Sequence, residues 1–325
     1  MSEYKGIKGF SIQSLSADPA NPNIGQVWYN STSASLKLAT TALGSWATGN
    51  NMNTARNNLA GTGIQTAALG FGGYTTVYVG TTEEYDGNSW TNSNPLNTAR
   101  AQFAGAGTQT AALGFGGYIP PLTSATEEYD GNSWTNSNPL NTARRALGGA
   151  GTQTAGLAFA GRNPANPSPF TTLTEEYDGT SWVTSPGNMN TGRQHLAGFG
   201  IQTAALAVGG ESPVTGATEE YNGTSWTNSN NLNTARYGLA GAGIQTAGLA
   251  FGGFDGTIYT ALTEEYDGTS WTNTTSLSTA KVYLRGSGTQ TAGLAFGGRL
   301  PPNTASNATE EWTGAGPVTK TITVS

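Results

Sequence analysis

Four kinds of side chain in this sequence are placed so that they could do chemistry. Six acidic pairs recur along it: Glu83-Glu84, Glu127-Glu128, Glu175-Glu176, Glu219-Glu220, Glu264-Glu265 and Glu310-Glu311. Paired carboxylates suit acid–base work or calcium. A cation recurs at one register, as Arg56, Arg100, Arg144, Arg193, Arg236 and Lys281, and could bind an anionic partner. Each acidic pair is followed by an aromatic residue, Tyr85, Tyr129, Tyr177, Tyr221, Tyr266 or Trp312. A Trp comes five residues after every one of these tyrosines. Such a pair could form a sugar-stacking platform. Gly105-Ala106-Gly107 matches part of a dinucleotide-binding fingerprint.

Most of this chemistry is weakened by the way it repeats. Neighbouring residues on a strand point to opposite faces, so the two carboxylates of a pair do not act together. The first Glu shares a face with the Tyr two positions on, and is expected half-buried against backbone or an arginine. A Tyr–Trp pair in nearly every copy reads as core. The Gly-Ala-Gly segment recurs in every copy with no helix after it, so it does not cradle phosphate. The glycines instead let crowded strands converge. His195 stands in one copy only and is expected at the surface or in a loop.

The chain has 325 residues, with 47 Gly, no Cys and one His. Those counts exclude a disulfide framework, a thiolate nucleophile, a Cys-based zinc site and a multi-histidine metal site. No cofactor and no metal are expected. The net charge of -6 argues against binding nucleic acid through a basic surface. No apolar run is long enough to span a membrane, and the first residues lack a secretory signal, so membrane insertion is not expected.

The elements that hold these residues are short strands in a repeat. The Tyr-to-Tyr intervals are 44, 48, 44 and 45, and Tyr266 precedes Trp312 by 46. A period in the mid-forties with several apolar segments and turn signals is the arithmetic of a β-propeller blade. The Gly, Thr, Ser and Asn content excludes a helical solenoid. The second copy predicts strands over 101–107, 111–116, 124–129 and 133–136, with Asp130-Gly131 as a hairpin turn.

Gly116-Gly117, then Tyr129, Trp134 and Arg144, resembles the kelch repeat, and six copies cover about residues 46–312. The near-identity of the copies resembles the kelch-like proteins of bacteriophages. The segment Gly25-Gln26-Val27-Trp28-Tyr29-Asn30, with Leu36-Lys37-Leu38 and Trp46, resembles a hairpin common in phage tail and fibre proteins. These resemblances imply an all-β propeller of six kelch-type four-stranded blades over 46–325, preceded by an attachment or closure segment over 1–45. Trp46 is expected to supply the outer strand of the last blade. The alternative is a seventh blade built from Val27–Asn30, Leu36–Ala39 and Trp46.

The cations are expected as a ring at one mouth of the central channel. There they either bind a partner, as the resemblance to kelch adaptors implies, or pair with a Glu of their own blade. The loops between Gly-Gly and Glu-Glu are the segments in which the copies clearly differ. They span 74–82, 118–126, 162–174, 211–218, 254–263 and 299–309, and carry Tyr74, Tyr78, Tyr118, Phe170, Phe254 and Tyr259 as candidate ligand-binding aromatics. The functional expectation is a non-enzymatic virion structural protein, made in the host cytoplasm. Its partners would be other virion proteins and a host-surface glycan or protein, and a homo-oligomer in the particle is compatible with this. The alternatives are a sialidase-like or other glycan-active propeller enzyme, and an intracellular adaptor. Exclusion of catalysis rests on the repeats, since one active site needs different groups in different roles.

Overall fold

The computed structural model describes residues 12–166 and 168–322. The chain divides into two compact units, 1–44 with 314–325, and 45–313. The C-terminal segment is thus grouped with the N-terminal one and not with the repeats, whereas the sequence assigned it to the propeller.

In the smaller unit, Gln13–Leu15, Val27–Asn30, Ser35–Ala42 and Gly316–Ile322 form one four-stranded sheet in that order. The first two strands run parallel and the other pairings are antiparallel. Trp28 is fully buried. Its indole N–H and the Asn30 amide both donate to Asp18 Oδ1, at 2.9 and 2.7 Å.

The larger unit contains six four-stranded antiparallel sheets, and each carries one copy of the repeat. Blade two shows the pattern: Ala104–Gly107, Ala112–Phe115, Thr126–Tyr129 and Trp134–Ser137. The expected strand 101–107 is shorter, because the chain bends at Gln102, whose φ is +56°. In blade six, Arg285–Gly288, Ala292–Phe296 and Thr309–Thr313 are completed by Ser45–Gly49. Trp46 pairs with Trp312 there, the register that Trp134 has with Tyr129.

Adjacent blades are joined by side chains of the repeat itself. Each outer-strand indole N–H donates to a Thr hydroxyl of the preceding blade. The bonds from Trp134, Trp182, Trp226 and Trp271 reach Thr82, Thr126, Thr174 and Thr218 at 2.9–3.0 Å. Trp46 to Thr263 and Trp90 to Thr309 close the cycle. The turn glutamines do the same to main-chain carbonyls: Gln109 reaches Ala68 and Tyr85, and Gln65 reaches Gly293 and Trp312. A third link runs from the tyrosine hydroxyls of Tyr129, Tyr177, Tyr221, Tyr266 and Tyr85 to Glu84, Glu128, Glu176, Glu220 and Glu311. Burial, then the neighbouring carboxylate, raises the phenols of Tyr129, Tyr177, Tyr221 and Tyr266 to about 12.

The Tyr and Trp side chains lie between blades with Leu and Phe, as in the cluster of Leu69, Phe71, Tyr129 and Trp134. Their role is core, and the sugar-platform reading of these pairs has no exposed face to work with. Gly61 and Gly105 face phenylalanine rings closely enough that a Cβ would lie 2.4 and 2.8 Å from Phe296 and Phe71. Inner-strand glycines are therefore a packing requirement.

Candidate functional site

The site grows out of the bend before each inner strand. Two residues after the repeated cation, the backbone has a positive φ in every copy: Asn58, Gln102, Ala146, His195, Gly238 and Tyr283, all between +52° and +62°. The bend turns each amide toward the preceding blade. Gln102 N–H donates to Asn58 O at 2.9 Å, Ala146 to Gln102 at 2.7 Å, and His195 to Ala146 at 2.8 Å. Gly238 donates to His195 at 2.7 Å, Tyr283 to Gly238 at 2.7 Å, and Asn58 to Tyr283 at 3.0 Å. Six peptide groups thus form a closed hydrogen-bonded belt around one mouth of the channel. Five of the six are not glycine, and each such backbone costs of order 1–3 kcal/mol, which the belt and its packing must offset.

Next to the belt, the residue before each belt position bridges the residue after the Gly-Gly element. The bridges are Asn57 to Tyr74, Ala101 to Tyr118, Arg145 to Arg162, Gln194 to Glu211, Tyr237 to Phe254 and Val282 to Arg299. Every blade therefore presents three positions at one mouth on a backbone that repeats, while the residues that fill them do not, Gly238 leaving one of them without a side chain.

Four arginines stand out. Arg145, Arg162 and Arg299 occupy bridge positions, and Arg285 replaces the small residue that opens the other inner strands, such as Ala60, Ala104 and Gly148. Arg285 donates to the main-chain oxygens of Leu59 and Phe103, so it reaches across the channel beneath the belt. Arg145 lies 4.6 Å over the Tyr118 ring, Arg299 lies 5.0 Å over Tyr283 and 5.8 Å over Tyr259, and Arg162 lies 5.8 Å over Phe170. Among the described residues, none of the four has a carboxylate within 4.0 Å. Burial, then the charges of Arg285, Arg145, Arg299 and Arg162, pull His195 down to about 3. His195 is therefore neutral near pH 7, with its Nε2 3.9 Å from Glu211 Oε1. Burial raises the Glu211 carboxyl, and Gln194 opposes this with a 3.0 Å hydrogen bond. Tyr283 stacks on His195 at 4.8 Å between centroids.

The expected cation ring sits elsewhere. Arg56, Arg100, Arg144, Arg193, Arg236 and Lys281 are at most 1% exposed. Each is paired with the first Glu of its own blade: Glu83, Glu127, Glu175, Glu219, Glu264 and Glu310. The ligand-contacting reading of these six is corrected accordingly, since the pairs lie inside the blades and hold the connector to the third strand. The second guanidinium nitrogen of Arg56, Arg100 and Arg144 reaches a second-strand carbonyl, that of Gly70, Gly114 or Ala158. His195 lies in the bend before its inner strand, in line with the loop expectation, but its side chain is 11% exposed and sits in the belt rather than on the surface.

The loop aromatics do gather at the belt's mouth. Tyr74 packs edge-on to Tyr78 at 5.3 Å, and Tyr78 to Tyr118 at 5.7 Å. Phe254 packs on Tyr237 and Tyr259 at 5.5 and 5.6 Å. Tyr74 is exposed, while Tyr78, Tyr118, Phe170, Phe254 and Tyr259 are half-buried. A cleft of about 300 Å³ opens among Tyr74, Tyr78, Tyr118, Gln102, Arg145 and Arg299. Sequence reasoning missed Arg145, Arg285, Tyr237 and Tyr283; Arg162, Glu211 and Arg299 it included as the first residues of the variable loops without singling them out as ligand contacts. The signal for Arg145 and Tyr237 was the mismatch between copies right after the repeated cation.

The repeat-bearing unit is a β-propeller. Among solved structures it is similar to YjhT, with 13% sequence identity and a TM-score of 0.68, over 83% of this chain and 99% of that one. No family model and no curated protein matches the sequence. The expectation that this chain does not catalyse is corrected: the propeller fold it shares with YjhT is no ground for excluding an enzyme, and the geometry removes the argument from the repeats. Catalysis was excluded because the repeats offer identical groups, whereas the mouth assembles arginines, tyrosines, a glutamate and a neutral histidine that are not repeated.

Proposed function

We propose that this chain is a bacteriophage virion protein whose propeller mouth binds a saccharide of the host surface. The observation that carries the reading is the mouth itself. A repeated backbone holds there a set of side chains that differs from blade to blade, rich in aromatic rings and arginines. Aromatic faces and guanidinium groups are suited to sugar rings and their substituents. The near-identical copies and the Gly25–Asn30 hairpin, which resemble phage proteins, supply the virion context. The smaller sheet is proposed as the attachment element, with other virion proteins as its partners.

The test is binding of the labelled chain to a saccharide array and to host cells. Replacing residues 162–170 with a short Gly-Ser turn should leave folding intact, because no blade strand is touched. Loop exchanges that strip Tyr74, Tyr78 and Tyr118 should abolish cell binding. Unchanged binding after exchange of all six loops would end the reading. The same incubations read glycoside turnover by release of reducing sugar.

A further inference from the structure

We infer that the cleft between Arg145 and Arg299 is a subsite for a sugar that bears a carboxylate. The inference rests on the saccharide-binding reading above and names the class of sugar.

Three observations meet in this cleft. The first is charge. Arg145 and Arg299 stand on its walls, and neither has a carboxylate within 4.0 Å among the described residues. Every buried cation of the repeat, by contrast, has its own glutamate. Like charges gathered at one mouth repel, and a bound anion offsets that repulsion. The second is presentation. Arg145 is stacked on Tyr118, which leaves its in-plane donors free for a planar acceptor, and a carboxylate matches that fork. Arg299 is held over Tyr283, and its Nε has no hydrogen-bond partner among the described residues although it is buried. The third is the opposite polarity beside these donors. Gln102 Oε1, also buried, is an acceptor without a partner. A ligand that meets both must carry acceptors for the arginines and a donor for Gln102. A sugar acid has a carboxylate and hydroxyls, whereas a phosphate ion near neutral pH fills the acceptor role far better than the donor role. Tyr74, Tyr78 and Tyr118 supply apolar wall for the ring.

The molecule provides its own controls. The bridge position of Arg145 is Ala101 in blade two, and that of Arg299 is Tyr74 in blade one. Arg145→Ala and Arg299→Tyr therefore place on the backbone residues that it already accepts in other copies. The probes are glucuronic acid against glucose and 3′-sialyllactose against lactose, with hexaglutamate as an acidic peptide, each titrated by calorimetry into the full chain.

At least one sugar acid should bind tenfold or more tightly than its neutral partner. Each substitution should weaken that acid tenfold or more, with the thermal midpoint unchanged. Equal binding of acid and neutral sugar overturns the inference and leaves saccharide binding standing. Loss of neither acid on substitution overturns it too. Hexaglutamate binding as tightly as the best sugar acid overturns the sugar assignment. If no probe of either pair binds, the inference fails, and the loop exchanges on host cells then decide separately whether the mouth binds the host at all.

Discussion

Arg144→Met is the most direct test of where the repeated cations act. Arg144 and Glu175 are 0% and 1% exposed, and the guanidinium also donates to Ala158 O at 3.2 Å and Thr142 O at 3.4 Å. Methionine keeps the apolar stem and removes every donor. Glu175 then keeps one described hydrogen bond, from Asn141 N–H at 2.7 Å. Removing one partner of a buried ion pair costs about 3–5 kcal/mol, most of it from the charge left behind. The stranded carboxyl lowers this cost by holding its proton, so its folded-state pKa rises above the unfolded value of about 4.3. A raised pKa favours the fold below the unfolded pKa, and the benefit is lost as pH rises through the folded one. The deficit should therefore be largest at pH 8 and shrink toward pH 5. Adding Glu175→Gln should recover roughly half of it, because a neutral amide is cheaper to bury than a charge. Urea unfolding followed by tryptophan fluorescence reads all of this as midpoint shifts. A deficit below about 1 kcal/mol that is flat with pH would refute the buried-pair account. So would normal stability with lost ligand binding.

Three further outcomes follow from other residues. Lys281 meets Glu310 at 3.0 Å but lacks the second reach of the arginines, so Lys281→Arg should stabilise by about 1 kcal/mol through a new bond to Ala295 O, read as a higher urea midpoint. His195 is depressed to about 3, so the unfolded chain takes up its proton first as pH falls below about 6.5, and stability is lost. Between pH 7.5 and 5.0 this amounts to about 2 kcal/mol, and His195→Asn should remove that part of the pH dependence. Tyr129, Tyr177, Tyr221 and Tyr266 are raised to about 12, so their contribution holds below pH 10 and is lost as pH rises through 12. By pH 11 that is roughly 1.4 kcal/mol each, and absorbance at 295 nm should show these phenols largely un-ionised in the folded chain at that pH and ionised once it unfolds.

The strands, the turns and the Gly-Gly bends were legible because local chemistry sets them. Asp130-Gly131 forms its turn with Gly131 at φ +91°, and Asp130 Oδ1 accepts from Asn132 and Ser133. The place of Trp46 was legible because its connector copies the others. The pairing of Ser35–Ala42 with Gly316–Ile322 was not, since a contact between distant segments leaves no local periodicity. The loop aromatics of the site were found by their variation. Arg145 was not, because the repeated Arg144 beside it drew attention away. One lies inside the blade and the other at the mouth, since successive residues on an extended chain point opposite ways. The belt is made of main-chain atoms, which no side-chain pattern reveals.

Blade six also sets a clock. Its outer strand pairs Gly49 with Thr309, so the two halves of this sheet are 260 residues apart in the chain. At a synthesis rate of roughly 5–20 residues per second, Ser45–Gly49 leaves the ribosome about 13–50 s before its partner exists. Through that interval the strand has no ladder and Trp46 has no Trp312 to pack on, while Thr263, its hydrogen-bond acceptor, is made only 46 residues before Thr309. The first repeat segment made is thus among the last to be secured, and joining it is the step that turns a row of blades into a ring. Until then the growing chain ends in an unpaired sheet edge open to other chains, a hazard that the Ser, Ala, Thr and Gly around Trp46 keep small by offering little apolar surface.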